Sequence, residues 1–88
     1  MKLKYNFVTN KVADKTVAVA VGEDAEKFGG FIKMNDTGAY IFNMLKNDVT
    51  EGEIAAAMEK EYEGVSSAEL LKTVKEFIGK LKESDVIE

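Results

Sequence analysis

The chain has 88 residues, 45% of them hydrophobic and 32% charged, and its twelve lysines (there is no arginine) face sixteen carboxylates for a net charge of −4. That composition fits one small folded domain, burying roughly 60–65% of the surface its unfolded chain exposes, and excludes both disorder and a deep internal active site. It argues against nucleic acid, whose binders carry a basic excess and the guanidinium fork that reads guanine and phosphate. With no histidine and no cysteine, it also excludes a thiolate zinc site, a disulfide framework, a redox thiol and an imidazole-activated nucleophile.

Met1-Lys2-Leu3-Lys4 has the charges of a signal-peptide start, but Tyr5 to Asn10 supplies no continuous apolar core after it. The longest apolar run, Val17 to Val21, is far short of the roughly 20 residues that span a bilayer. The expectation is a soluble cytoplasmic protein with no membrane partner.

Two runs rich in strand formers open the chain, Tyr5 to Val12 and Thr16 to Val21, with Ala13-Asp14-Lys15 short and polar enough to close a hairpin between them. In the second run Val17, Val19 and Val21 share one face, and Ala18 and Ala20 the other, which offers little except close approach. Gly22 to Lys27 reads as a charged loop. Gly29-Gly30 then leads into a short third strand, Phe31-Ile32-Lys33-Met34, with Phe31 and Lys33 on one side and Ile32 and Met34 on the other.

From Asp36 the period changes to that of a helix. Asp36 is the expected cap, Ile41, Phe42, Met44 and Leu45 form the apolar stripe, and Gly38 in the first turn implies close packing. Thr50-Glu51-Gly52-Glu53 fits a capping box for a second helix with Ile54, Met58 and Tyr62 on one face. Ser66-Ser67-Ala68-Glu69 fits another, followed by the strongest periodic signal in the chain: Leu70, Leu71, Val74, Phe77, Ile78 and Leu81. The expected architecture is α+β, three N-terminal antiparallel strands followed by three helices in a single domain over residues 1–88. Ser84 to Glu88 is expected to dock as a short tail.

No constellation here carries catalysis. Asp24 with Glu26, and Glu51 with Glu53, sit in a loop and a first helical turn, where solvation and the helix dipole account for them. Gly29-Gly30 precedes a strand, whereas phosphate-binding glycine loops precede a helix. Asn47-Asp48 through Gly52 lacks the alternating oxygen ligands of a calcium loop. No catalytic residue, cofactor site or metal site is expected.

The segment Met34-Asn35-Asp36-Thr37-Gly38-Ala39-Tyr40 resembles the "hydrophobic-Asn-x-Thr-Gly-Ala-aromatic" signature of PqqD-like proteins, the pyrroloquinoline quinone biosynthesis protein D family. The downstream Thr50, Glu53, Ile54 and Tyr62, and the long helix running to Lys80-Leu81-Lys82-Glu83, fit the rest of that pattern, so the resemblance spans nearly the whole chain. Two departures stand out: Met34 replaces the usual leucine before the asparagine, and Ser84-Asp85-Val86 replaces the usual glycine before the final apolar pair.

The resemblance implies a winged-helix-like RiPP recognition element, where RiPP denotes a ribosomally made, post-translationally modified peptide. Such a domain is a peptide chaperone of natural-product biosynthesis. It binds the leader of a precursor peptide as an added strand on the third β-strand, beside the third helix, and presents it to a modifying enzyme, typically a radical S-adenosylmethionine (SAM) enzyme. On this chain the implied peptide site is Phe31, Ile32, Lys33 and Met34, facing Leu71, Val74, Lys75 and Ile78. The aliphatic members are also what any packed helix needs for its core. Two other readings are a winged-helix DNA-binding regulator, disfavoured by the charge, and a scaffold subunit that binds only the enzyme. An exposed edge strand also gives a homodimer a route to form.

Overall fold

The computed structural model describes residues Met1 to Glu88. Its elements run β1 (Phe7–Val12), β2 (Lys15–Ala20), α1 (Asp24–Lys27), β3 (Phe31–Met34), α2 (Asp36–Met44), α3 (Glu51–Glu61) and α4 (Ser67–Glu83). The α+β plan of strands followed by helices is the expected one, with one addition. The segment read as a charged loop contains a single helical turn, α1. Gly22 at φ 65° swings the chain into it, and the Asp24 carboxylate accepts the Asn6 backbone N–H at 2.7 Å, fixing that turn against the start of β1.

The three strands form one antiparallel sheet in the order β1-β2-β3. Val8 pairs with Val19 and Val19 with Phe31; Thr9 pairs with Ala18 and Ala18 with Ile32. The hairpin between β1 and β2 closes on Ala13-Asp14 alone, because Val12 and Lys15 are already paired. Ala13 takes φ 58°, a left-handed conformation that costs an L-residue roughly 1–2 kcal/mol. Ala13→Gly is therefore expected to stabilise the protein by about 1 kcal/mol in urea unfolding; a loss of stability would contradict the strain argument.

The alternation in β2 sorts its faces by size. Thr16, Ala18 and Ala20 are buried against the helices, while Val17 and Val19 are half-buried on the opposite side. Small side chains on the covered face let the helices approach the backbone closely. Phe42 fills the space above them: its ring is fully buried and meets Phe7 edge-on at 5.2 Å, and Phe7 in turn meets Phe28 at 5.6 Å. Ile41, Leu45, Ile54, Met58, Val74, Ile78 and Val86 complete the centre of the core.

The helix starts follow from local chemistry, with two adjustments to expectation. Asn35, not Asp36, is the cap of α2, its side-chain oxygen accepting the Gly38 N–H at 2.8 Å. The Thr50 capping box is complete, with both bonds at 3.0–3.1 Å. At Ser66 only the hydroxyl half is made, accepting the Glu69 N–H at 3.2 Å.

The tail docks. Leu3 bridges Ile87, the Lys4 N–H donates to the Val86 carbonyl at 2.7 Å, and the Glu88 N–H donates to the Lys2 carbonyl at 3.0 Å. Helix α4 ends in a Schellman turn: the Val86 N–H reaches the Leu81 carbonyl and the Asp85 N–H the Lys82 carbonyl, with Asp85 left-handed at φ 58°. The resemblance noted from the sequence places glycine here, and in this chain an aspartate takes the left-handed conformation that glycine favours. Asp85 also accepts from the Lys4 amine at 2.6 Å, tying the two ends of the chain together.

That hydrogen bond, more than the accompanying charge attraction, raises the Lys4 amine above its ordinary 10.5. A raised folded-state value contributes stability that is present below 10.5 and lost as pH rises through the folded value. The melting temperature of wild type is thus expected to exceed that of Lys4→Met at pH 7, with the gap closing above about pH 10.5. A gap that persists in alkali would contradict the assignment.

Candidate functional site

The sheet leaves β3 with one side unpaired, and its register fixes which groups stand there. The Val21 N–H donates to the Asn6 carbonyl, and the two-residue turn closes on the Val12–Lys15 pair. By the alternation of antiparallel ladders, the odd-numbered residues of β2 bond to β1 and the even-numbered ones to β3. Ile32 and Met34 therefore bond inward to Ala18 and Thr16, and Phe31 and Lys33 aim their backbone N–H and C=O groups at the open edge. Side chains alternate independently: Ile32 and Met34 lie on the helix side of the sheet, Phe31 and Lys33 on the outer side.

Next to this edge stands the C-terminal half of α4. Phe77 and Lys80, together with Lys15, Lys33, Met34 and Asn35, line a depression of about 260 Å³. Asn35, Phe77 and Lys80 also line an adjoining depression of about 170 Å³, and with them stands Gly38. A β-carbon there would stand 2.8 Å from the Phe77 ring and 3.1 Å from the Met34 β-carbon, so glycine is what lets α2, β3 and α4 meet. Further along α4, Ala68, Leu71, Lys72, Lys75 and Glu76 line a shallower surface of about 360 Å³. Another depression of about 360 Å³ follows Lys2 to Phe7 with Lys46 and Glu88, and β3 has no part in its wall.

The eight residues expected at a peptide site divide into two groups. Phe31 is 58% exposed, Lys33 and Lys75 are exposed, and Ile32 and Leu71 are half-buried at the boundary of the core. Met34, Val74 and Ile78 are core residues, 5%, 0% and 1% exposed. Val74 and Ile78 lie beneath the site in the core, whereas Met34, though nearly buried, still reaches the wall of the depression. The reason is helical geometry: on α4 the stripe of Leu70, Val74, Ile78 and Leu81 faces inward, so positions beside it, Leu71 and Phe77, reach the surface.

Phe77, Lys80 and Lys15 also border the edge and were not expected there. Phe77 carried an apolar-stripe signal that places it equally well inside the core, and the two lysines reach the site only through the fold. Lys15, Lys33, Lys75 and Lys80 make no ion pair; the lysines that do are Lys4, Lys11 and Lys27. The Lys33 amine instead sits 5.7 Å from the centre of the Phe31 ring, within cation–π range. The site thus combines unpaired main-chain groups, a half-buried apolar wall and lysines that make no ion pair. No helix is long and apolar enough to cross a membrane.

The family model for coenzyme PQQ synthesis protein D matches residues 14–87. No curated protein matches the chain. Among solved structures, that of TbiB1 in complex with the TbiA(beta) leader peptide is similar at 20% identity, covering 100% of this chain and 95% of that one with a TM-score of 0.76, a likeness of fold.

Proposed function

The chain belongs to the coenzyme PQQ synthesis protein D family, and on that premise we propose that it is a non-catalytic chaperone for a ribosomally made precursor peptide. The leader of that peptide adds as a fourth strand to β3, and the domain presents it to a modifying enzyme, a radical SAM enzyme in the preferred reading. All of residues 1–88 serve as one recognition domain, working in the cytoplasm. The observation that carries the proposal is the open edge of β3, with the backbone of Phe31 and Lys33 turned outward beside the half-buried Leu71 and Phe77.

The energetics assign different tasks to backbone and side chains. Up to four main-chain hydrogen bonds to Phe31 and Lys33 contribute about 0.5–1.5 kcal/mol each. Their sum falls short of the roughly 8 kcal/mol of a micromolar complex, before any cost of ordering the peptide. Side-chain burial must supply the rest and make the choice of sequence. Leu71 to Lys80 spans about 13 Å along α4, the length of roughly four residues of strand. Every second one of them faces the helix, against Ile32, Leu71 and Phe77. Acidic leader residues would find Lys33, Lys75 and Lys80 free to pair.

An amide chemical-shift titration of the labelled protein with the leader encoded beside it tests this. Expected are shifts concentrated on Gly30 to Asn35 and on Leu71 to Lys80. Absence of shifts at millimolar leader would overturn the proposal in favour of a scaffold that binds only the enzyme.

A further inference from the structure

The outer face of the sheet has no assigned role. It carries Val8, Asn10 and Val12 from β1, Lys15, Val17 and Val19 from β2, and Phe31 and Lys33 from β3. Val8, Val19 and Phe31 form one continuous row across all three strands, and Val8, Val12 and Phe31 are among the most exposed large apolar side chains in the molecule. A continuous apolar strip of this kind marks an interaction surface, in contrast to scattered single residues.

Charge decides what the strip accepts. Residues 1–34 carry six lysines against four carboxylates, whereas residues 35–88 carry six against twelve. The outer face follows the first half: the charged residues that the strands place on it are Lys15 and Lys33, and no strand contributes a carboxylate to it. A second copy packed twofold on this face would bring lysines together around a drying apolar centre, with nothing of opposite sign to receive them. A surface with an apolar centre and a rim of carboxylates is complementary.

We infer that the outer sheet face docks a second, different protein through an apolar contact ringed by that protein's carboxylates, and that this protein is the peptide-modifying enzyme. The identity of the enzyme rests on the proposed function; the surface and its charge do not. The geometry also couples the two partners. A leader strand added to β3 extends the same sheet, so the alternate leader side chains that turn away from α4 continue the row of Val8, Val19 and Phe31. The enzyme then contacts a composite of domain and leader, and each ligand tightens the other by the same factor.

The test uses the full chain, its encoded leader and the peptide-modifying enzyme encoded beside it, with binding measured by calorimetry for wild type and for the double variant Val8→Glu, Val12→Glu. Both positions are exposed, lie on β1 and are remote from the edge of β3. Expected are at least a tenfold loss of enzyme affinity in the variant, leader affinity changed less than twofold, and wild-type enzyme affinity that rises with leader present and falls with added salt. Equal enzyme binding by variant and wild type, or no enzyme binding by wild type, would overturn the inference. So would a self-associated protein that becomes monomeric in the variant, since a second copy would then occupy the face. Failure of leader binding alone overturns the proposed function and leaves the enzyme arm standing.

Discussion

Lys33→Pro is expected to weaken leader binding ten- to a hundredfold while leaving the domain folded. Proline removes the N–H that Lys33 turns toward the open edge, and its ring occupies the space where an added strand would approach. It removes no bond to β2, because the inward-bonding residues of β3 are Ile32 and Met34. Edge strands tolerate proline when the missing N–H faces solvent, and its fixed φ suits an extended chain closely enough to hold the fold. One lost hydrogen bond plus displacement of the neighbouring peptide bond corresponds to about 1.5–3 kcal/mol, hence the stated range.

Two controls keep this result interpretable. Lys33→Ala deletes the charge and retains the N–H, so it should cost binding much less than proline does. Thr9→Pro alters the other edge of the sheet, where the N–H also faces away from β2, and should leave leader affinity unchanged. Equal losses for Lys33→Ala and Lys33→Pro would show that the side chain and not the strand edge is recognised. A loss for Thr9→Pro with retained fold would place the peptide on β1.

Phe42→Ala is expected to lower stability by about 3–5 kcal/mol, the largest effect of any single core truncation in this chain. The ring is fully buried, and through Phe7 it joins α2 to β1 and onward to Phe28 after α1. The ring is enclosed in a close-packed core, so the cavity it leaves adds to the lost burial. Domains of this length hold roughly 4–13 kcal/mol in total, so the variant should be marginal and melt well below wild type. Chemical denaturation measures it directly. A cost under 1 kcal/mol would mean that the core is organised around some other residue.

Periodicity made much of this fold readable. The strand-forming runs of β1 and β2, the two glycines before β3 and the stripe from Leu70 to Leu81 each point to one kind of element, and each forms it. α1 was not readable because four residues are too few to display a helical period. The alternation in β2 separates its valines from its alanines, but nothing local says which face the helices cover. That is decided by how closely α2 and α4 can approach, a property of residues far away in sequence.

The candidate site was readable in outline for a similar reason. The strand-to-helix switch at Asn35 marks β3 as short and bounded, and a three-stranded sheet always has two edges. Leu71 was legible as a member of the apolar stripe, and Lys75 entered the site only through the resemblance. The stripe alone could not separate Val74 and Ile78, which point inward, from Phe77, which borders the edge. A single helix presents them within one turn of each other, and only the position of β3 tells them apart. Asp85 illustrates the converse case. Its left-handed turn is hidden because aspartate stands where glycine would have announced it, and it is held there by the Schellman bonds and by Lys4.

The central claim is that a peptide strand lies along β3, and the most direct measurement is a set of intermolecular nuclear Overhauser contacts between labelled protein and unlabelled leader. The account predicts contacts from the leader backbone to the amides and α-protons of Phe31 and Lys33, with leader side chains touching Ile32, Leu71 and Phe77. Contacts confined to β1 or to the depression along Lys2 to Phe7, with none on β3, would contradict it.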